Sequence, residues 1–111
     1  VKEIYLRMII YNTTFDIDKD ILHDSLTYLK KVYIPEAINS GLLTLPCLRR
    51  IMHVSEEGEN FAVQFHVKDI TTLNYWLNNE GSIINQGLIK RFGDKITGFT
   101  TLMEEIDWNN D

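Results

Sequence analysis

The most suggestive chemical pairing in the chain is His66 with an arginine from the segment just before it. Phe61-Ala62-Val63-Gln64-Phe65-His66-Val67 alternates large apolar residues with smaller or polar ones, a period of two that points alternate side chains to opposite faces of a sheet. If this run pairs with Leu48-Arg49-Arg50-Ile51-Met52-His53-Val54, His66 faces Arg49 or Arg50, depending on the register. A histidine beside an arginine on a sheet could bind an anion or shuttle a proton near neutral pH. Gln64 shares that face, and Asn12 and Thr14 come from an earlier strand, so the candidate ligand or interface residues are Asn12, Thr14, Arg50, Gln64 and His66. The competing interpretation is a solvated or subunit-contacting polar face. It is the favoured one, because no catalytic residue is identified and a fold alone carries no function.

Other reactive side chains give less. His23, His53 and His66 would have to converge to hold a metal, and neither a His-Glu-x-x-His run nor a pair of cysteines is present, so no metal site is expected. Cys47 has no neighbour in sequence that would activate its thiol and is expected to be a small apolar filler. Phe61 to Phe65 only faintly resembles the aromatic strand of RNA-binding sheets, because its aromatics are needed for the core and the glycine-aromatic spacing is missing. Arg91-Phe92-Gly93-Asp94-Lys95 suits a helix stop and turn better than a phosphate loop. No cofactor motif is present. Trp76 is expected in the core.

The elements that position these residues follow from pattern. Met8 precedes a strand in which Ile9, Tyr11, Thr13, Phe15 and Ile17 share one side and Ile10, Asn12, Thr14 and Asp16 the other. Asp18 is a suitable cap for a helix carrying Leu22, Leu26, Leu29 and Tyr33 on one stripe. Ile34-Pro35 should end that helix, and Pro35 to Gly41 should form a short second turn. Leu48 to Val54 and Phe61 to Val67 make a hairpin around the polar turn Ser55 to Asn60. Asp69 or Thr71 then caps a helix carrying Leu73, Trp76 and Leu77, which Gly81 interrupts and Ser82 restarts through Ile84, Leu88 and Phe92 up to Gly93. A last strand runs from about Lys95 to about Ile106, followed by an acidic tail over 107–111.

This order, strand-helix-strand-strand-helix-strand, predicts an α+β ferredoxin-like sandwich: a four-stranded antiparallel sheet with both helices on one face and the first and last strands side by side at its centre. The other face must then meet water, a ligand or another protein. The 111-residue chain suffices for one domain. Val1 to Arg7 is expected to be an N-terminal extension, with the domain over 8–106. At 44% hydrophobic and 24% charged residues the composition is that of a globular protein. No stretch approaches the roughly 18 apolar residues of a membrane helix. A single cysteine and no secretory leader pattern suggest the cytoplasm. The net charge of −5 works against nucleic-acid binding, which draws on clustered lysine and arginine.

Met8-Ile9-Ile10-Tyr11-Asn12 with Thr14, Ile34-Pro35-Glu36 with Gly41-Leu42, Val63-Gln64-Phe65 and Arg91-Phe92-Gly93-Asp94-Lys95 occur in that order. Together they resemble a small uncharacterised bacterial family, the domain of unknown function DUF4286, over Met8 to about Ile106. Gly87 stands where that family usually carries a stronger helix former. The resemblance implies the same ferredoxin-like sheet, with a dimeric α/β barrel as one form of it, and implies no chemistry.

Two functions follow as expectations. The first is a non-catalytic binding or assembly module that forms a homodimer through its open face, with Ile10, Met52, Ala62 and Leu102 as apolar contacts. The second is a small cofactor-independent enzyme of monooxygenase or isomerase type, with a small-molecule pocket between sheet and helices and His66 or Tyr11 as acid or base.

Overall fold

The computed structural model describes residues 8–52 and 57–109. Its strands are β1 (Ile9–Asp18), β2 (Leu43–Ile51), β3 (Gly58–Val67) and β4 (Ile96–Glu104). Between β1 and β2 runs a helical rod containing α1 (Leu22–Tyr28) and α2 (Ile34–Ile38), and between β3 and β4 a second rod containing α3 (Ile70–Trp76) and α4 (Ser82–Phe92). The expected extension Val1 to Arg7, the start of the expected hairpin turn (Ser55 and Glu56), His53 and Val54 lie outside the described residues.

The strands form one antiparallel sheet in the order β2-β3-β1-β4. β1 and β4 are neighbours as expected, but β4 is an edge strand and the centre belongs to β1 and β3. The interleaving explains this: each strand-helix-strand unit leaves a one-strand gap between its parallel strands, and the first strand of the other unit fills it.

The odd-numbered residues of β1 and β3 face the helices. Tyr11, Phe15, Ile17, Phe61, Val63 and Phe65 are buried against Leu29, Tyr33, Leu73, Trp76 and Leu88, with Leu22 and Leu26 packed at the margin. The stripe expected on the first helix is therefore its core face. Asp18 does not cap that helix. Its carboxylate makes no capping bond, a short 3-10 turn over Lys19–Ile21 intervenes, and Ser25 hydrogen-bonds back to the carbonyl of Ile21 at 2.7 Å.

Neither rod breaks where the sequence suggests. Leu29–Tyr33 forms a π turn in which the N–H of Ile34 donates to the carbonyl of Leu29, and Leu77–Gly81 forms another in which Ser82 donates to Leu77. A π turn widens the helix by one residue. In the first rod this carries the chain past Pro35, which has no N–H for the ladder and whose ring would crowd a preceding carbonyl in a regular α-helix. Helical backbone therefore continues through Pro35 to Ile38, and Gly41 (φ 81°) ends the rod with positive φ.

In the second rod the π turn brings Gly81 under Trp76, where a Cβ at position 81 would lie 2.6 Å from the indole Cζ3. The indole N–H donates to the carbonyl of Ala37 at 3.1 Å, so a carbonyl left over at the end of the first rod is satisfied by the second. Gly87 does not interrupt α4. It lets the Tyr28 hydroxyl approach the helix, 3.2 Å from where a Cβ would stand.

Asp69 caps α3. Its backbone is extended and its carboxylate accepts the Thr72 N–H at 2.8 Å, which holds its carboxyl below the usual carboxylate range. Because the folded-state pKa is the lower one, the cap's contribution is complete above the unfolded value of about 3.9 and is lost as pH falls through the folded value. Asp69→Asn keeps an acceptor without the titration. Its stability at neutral pH should stay close to wild type, and its loss of stability on acidification should be shallower, as read by denaturant unfolding at neutral pH and at about pH 3. An acid limb as steep as that of wild type contradicts the assignment.

Candidate interaction face and cleft

The sheet face turned away from the rods is a grid whose rows are set by the register. One row is Cys47, Gln64, Asn12 and Thr101, and the next is Arg49, Ala62, Thr14 and Phe99. To either side lie Thr44, His66, Ile10, Met103 and Ile51, Asn60, Asp16, Thr97. The centre is polar and the margin partly apolar. Asn12 and Thr14 are buried at 6% and 8% exposure although no helix covers them, whereas Phe99 at 64%, Ile51 at 39% and Met103 at 38% are open.

The polar groups pair within the grid. Asn12 Nδ2 donates to Thr14 Oγ1 at 3.1 Å and Arg49 Nη1 to Gln64 Oε1 at 2.9 Å. The buried Asn12 Oδ1 has no partner among the described residues.

Of the expected site residues, Asn12, Thr14, Gln64 and His66 share this face, and Arg50 does not. The cause is a bulge between Thr44 and Cys47 that adds one residue to β2. Leu45 there has positive φ (48°), and Pro46 has no N–H to give to the ladder. One extra residue exchanges the faces of everything after it. Arg49 therefore joins the open face, while the Arg50 guanidinium lies 5.3 Å from the centre of the Phe61 ring and its Nε 3.3 Å from Glu59 on the helix side.

His66 is not beside an arginine. It stands opposite Thr44 and Ile10, with Nδ1 3.2 Å from the sulfur of Met8. The anion-binding or proton-shuttling pair is not assembled. Two apolar positions also move. Leu102 pairs with Tyr11 and so belongs to the helix side, and Met52 follows the end of β2, fully open to solvent. Phe99, Met103 and Ile51, which the sequence reading does not single out, stand on the open face in place of Leu102 and Met52. Among the described residues no group of three His, Cys, Asp or Glu side chains could hold a metal.

Hollows on the helix side include two that border the rods and the sheet. A shallow groove of about 420 Å³ runs between the rods past Pro35, Glu36, Glu80 and Ile83. A narrower cleft of about 180 Å³ lies between α4 and the strands β1 and β4, with Tyr11, Thr13 and Phe15 on its floor. The hydroxyl of Tyr33 is buried beside Thr13. Burial, with Tyr11 nearby, pushes its pKa well above the usual tyrosine value. Tyr11 and His66, the two acid/base candidates, are on opposite faces of the sheet.

Four antiparallel strands in this order, with two helical rods on one face, define a ferredoxin-like α+β protein of the architecture that includes the dimeric α/β barrels. The chain belongs to the family described as Domain of unknown function (DUF4286), whose model matches residues 8–106. Among solved structures it is similar to an ethyl tert-butyl ether D (EthD) family protein from Bacillus halodurans, with TM-score 0.70 and 16% identity over 89% of this chain and 99% of that one. A dimeric ferredoxin-like protein from an uncultured marine organism matches with TM-score 0.59 and 16% identity over 91% and 97% of the two chains. A proposed antibiotic biosynthesis monooxygenase from Deinococcus radiodurans matches with TM-score 0.64 and 17% identity over 93% and 97%. At these identities the likeness is one of fold. No curated protein matches the sequence. No helix among the described residues is long and apolar enough to cross a membrane.

Proposed function

We propose that the protein is a non-catalytic assembly and binding module that pairs with a second copy of itself through the open face of its sheet. The observation that carries this reading is the composition of that face: Phe99, Met103 and Ile51 stand exposed around the half-buried Ile10 and Ala62. A sheet face left uncovered with large apolar side chains exposed at its margin tends to be buried by association, and a two-fold pair is the commonest closed solution. Four strands about 4.8 Å apart and about nine residues long present a footprint on the order of 600 Å², close to the roughly 800 Å² that each partner gives to a stable interface. The similar ferredoxin-like protein described as dimeric supports a homodimer, and a lone cysteine fits action in the cytoplasm.

Ala62→Arg sets a charge between Thr14 and Arg49, where a partner sheet leaves it without a counterion. Phe99→Arg does the same from a side chain that is exposed in the single subunit and so carries little of its fold. Light scattering after size exclusion should give the subunit mass for both variants and twice that mass for wild type, with unchanged far-UV circular dichroism. Variants that remain dimeric would move the interface elsewhere.

The alternative, a small cofactor-independent enzyme of monooxygenase or isomerase type, draws on the cleft that Tyr11 lines and on the fold shared with the proposed monooxygenase. The separation of Tyr11 from His66 weighs against those two acting together.

A further inference from the structure

The cleft under α4 exists because β4 has no side chain at Gly98 on its helix-facing side, directly opposite Phe15. A Cβ there would stand 3.1 Å from the Phe15 ring and 3.2 Å from Thr13 Cγ2. The missing side chain leaves a hollow between the Phe15 ring and α4. At about 180 Å³ it is slightly larger than a dry cavity of about 150 Å³ that accepts benzene.

Its chemistry is selective. Its lining includes the hydroxyl-bearing residues Tyr11, Thr13 and Thr100 and the carboxamide-bearing Asn85, and holds no Asp, Glu, Lys, Arg or His among the described residues. The buried Tyr33 hydroxyl lies near Thr13 and Tyr11, and the Tyr33 and Phe15 rings meet edge to face at 5.7 Å. An ionised ligand entering here would lose water without gaining a counter-charge, which is costly. A neutral ring keeps its apolar faces against Phe15 and Leu88 while one polar substituent meets the hydroxyls.

We propose that this cleft is a binding site for a neutral single-ring compound carrying one hydroxyl or carbonyl group. The site lies on the opposite side of the sheet from the proposed dimer face, so the two proposals stand or fall separately.

Phenol and benzoate are the probes, titrated into the wild-type protein and followed by amide resonances in two-dimensional NMR. Phenol should move Thr13, Gly98 and Leu88 saturably, with a dissociation constant on the order of 1 mM, as expected of so small a ligand. Benzoate, a ring of the same size bearing a charge, should bind at least about tenfold more weakly. Ile89→Trp should weaken phenol binding by about tenfold or more, because Ile89 lines the cleft yet is mostly exposed, so a bulkier ring there crowds the opening without disturbing the core. Gly98→Val fills the hollow from the floor, and the spectrum of each variant shows directly whether it is folded. Absent or non-saturable shifts with phenol, shifts outside the cleft, or undiminished binding by a folded Ile89→Trp would overturn the assignment. Equal binding of benzoate would overturn the restriction to neutral ligands.

Discussion

Trp76→Ala is expected to lower the melting temperature by more than about 10 °C. The indole is fully buried, and truncating a buried Trp costs about 3–5 kcal/mol. The change also removes the donor to the Ala37 carbonyl, leaving an unpaired acceptor at the end of the first rod at about 1–3 kcal/mol. Each kcal/mol is worth roughly 4 °C in a domain of this length, against a total stability of about 5–15 kcal/mol. A companion substitution separates packing from helix propensity. Gly81→Ala should gain about 1 kcal/mol of propensity but places a Cβ 2.6 Å from Cζ3 of the ring, and overpacking of that kind costs about 1–3 kcal/mol. The clash should win in wild type and vanish beside Trp76→Phe, so the two changes should be strongly non-additive in thermal unfolding. Additive effects would mean that the ring does not constrain position 81.

Phe65→Ala and Gln64→Ala, adjacent in sequence, should differ several-fold in cost. Phe65 is 1% exposed, stacks with Tyr11 at 6.3 Å and belongs to the cluster against which Leu26 packs, so its truncation should cost about 3–5 kcal/mol. Gln64 faces the other way and loses one exposed hydrogen bond to Arg49, for which about 0.5–1.5 kcal/mol is typical. Denaturant midpoints of the two variants decide the matter. Equal small losses would reverse the faces of β3.

The contrast between these neighbours was legible in the sequence, because alternation over Phe61 to Val67 fixes which residues share a face wherever the strand is regular. The same holds for β1, for the Leu22-Leu26-Leu29-Tyr33 stripe and for the cap at Asp69. What was not legible depends on irregularities whose position only the whole sheet determines. Pro46 was the available sign that β2 bulges, and its position decides whether Arg49 or Arg50 joins Gln64. Helix-breaking signals at Pro35 and Gly81 were genuine, but a π turn in each rod absorbs them and keeps the helix continuous. The register of β4, which puts Leu102 on the helix side and Phe99 on the open face, rests on pairing with β1, and nothing in the run from Ile96 to Glu104 fixes that offset. The cleft was beyond reach for the same reason, since it is the place where a glycine on one strand meets a phenylalanine on another.

Pairing of two copies of the chain through the open face of the sheet is tested most directly by sedimentation equilibrium of the wild-type protein. From low to high micromolar concentration, the protein should show a monomer-dimer equilibrium reaching twice the 13.0 kDa subunit mass, shifted wholly to monomer by Phe99→Arg. A wild-type protein that sediments at the single-subunit mass across that range would contradict it.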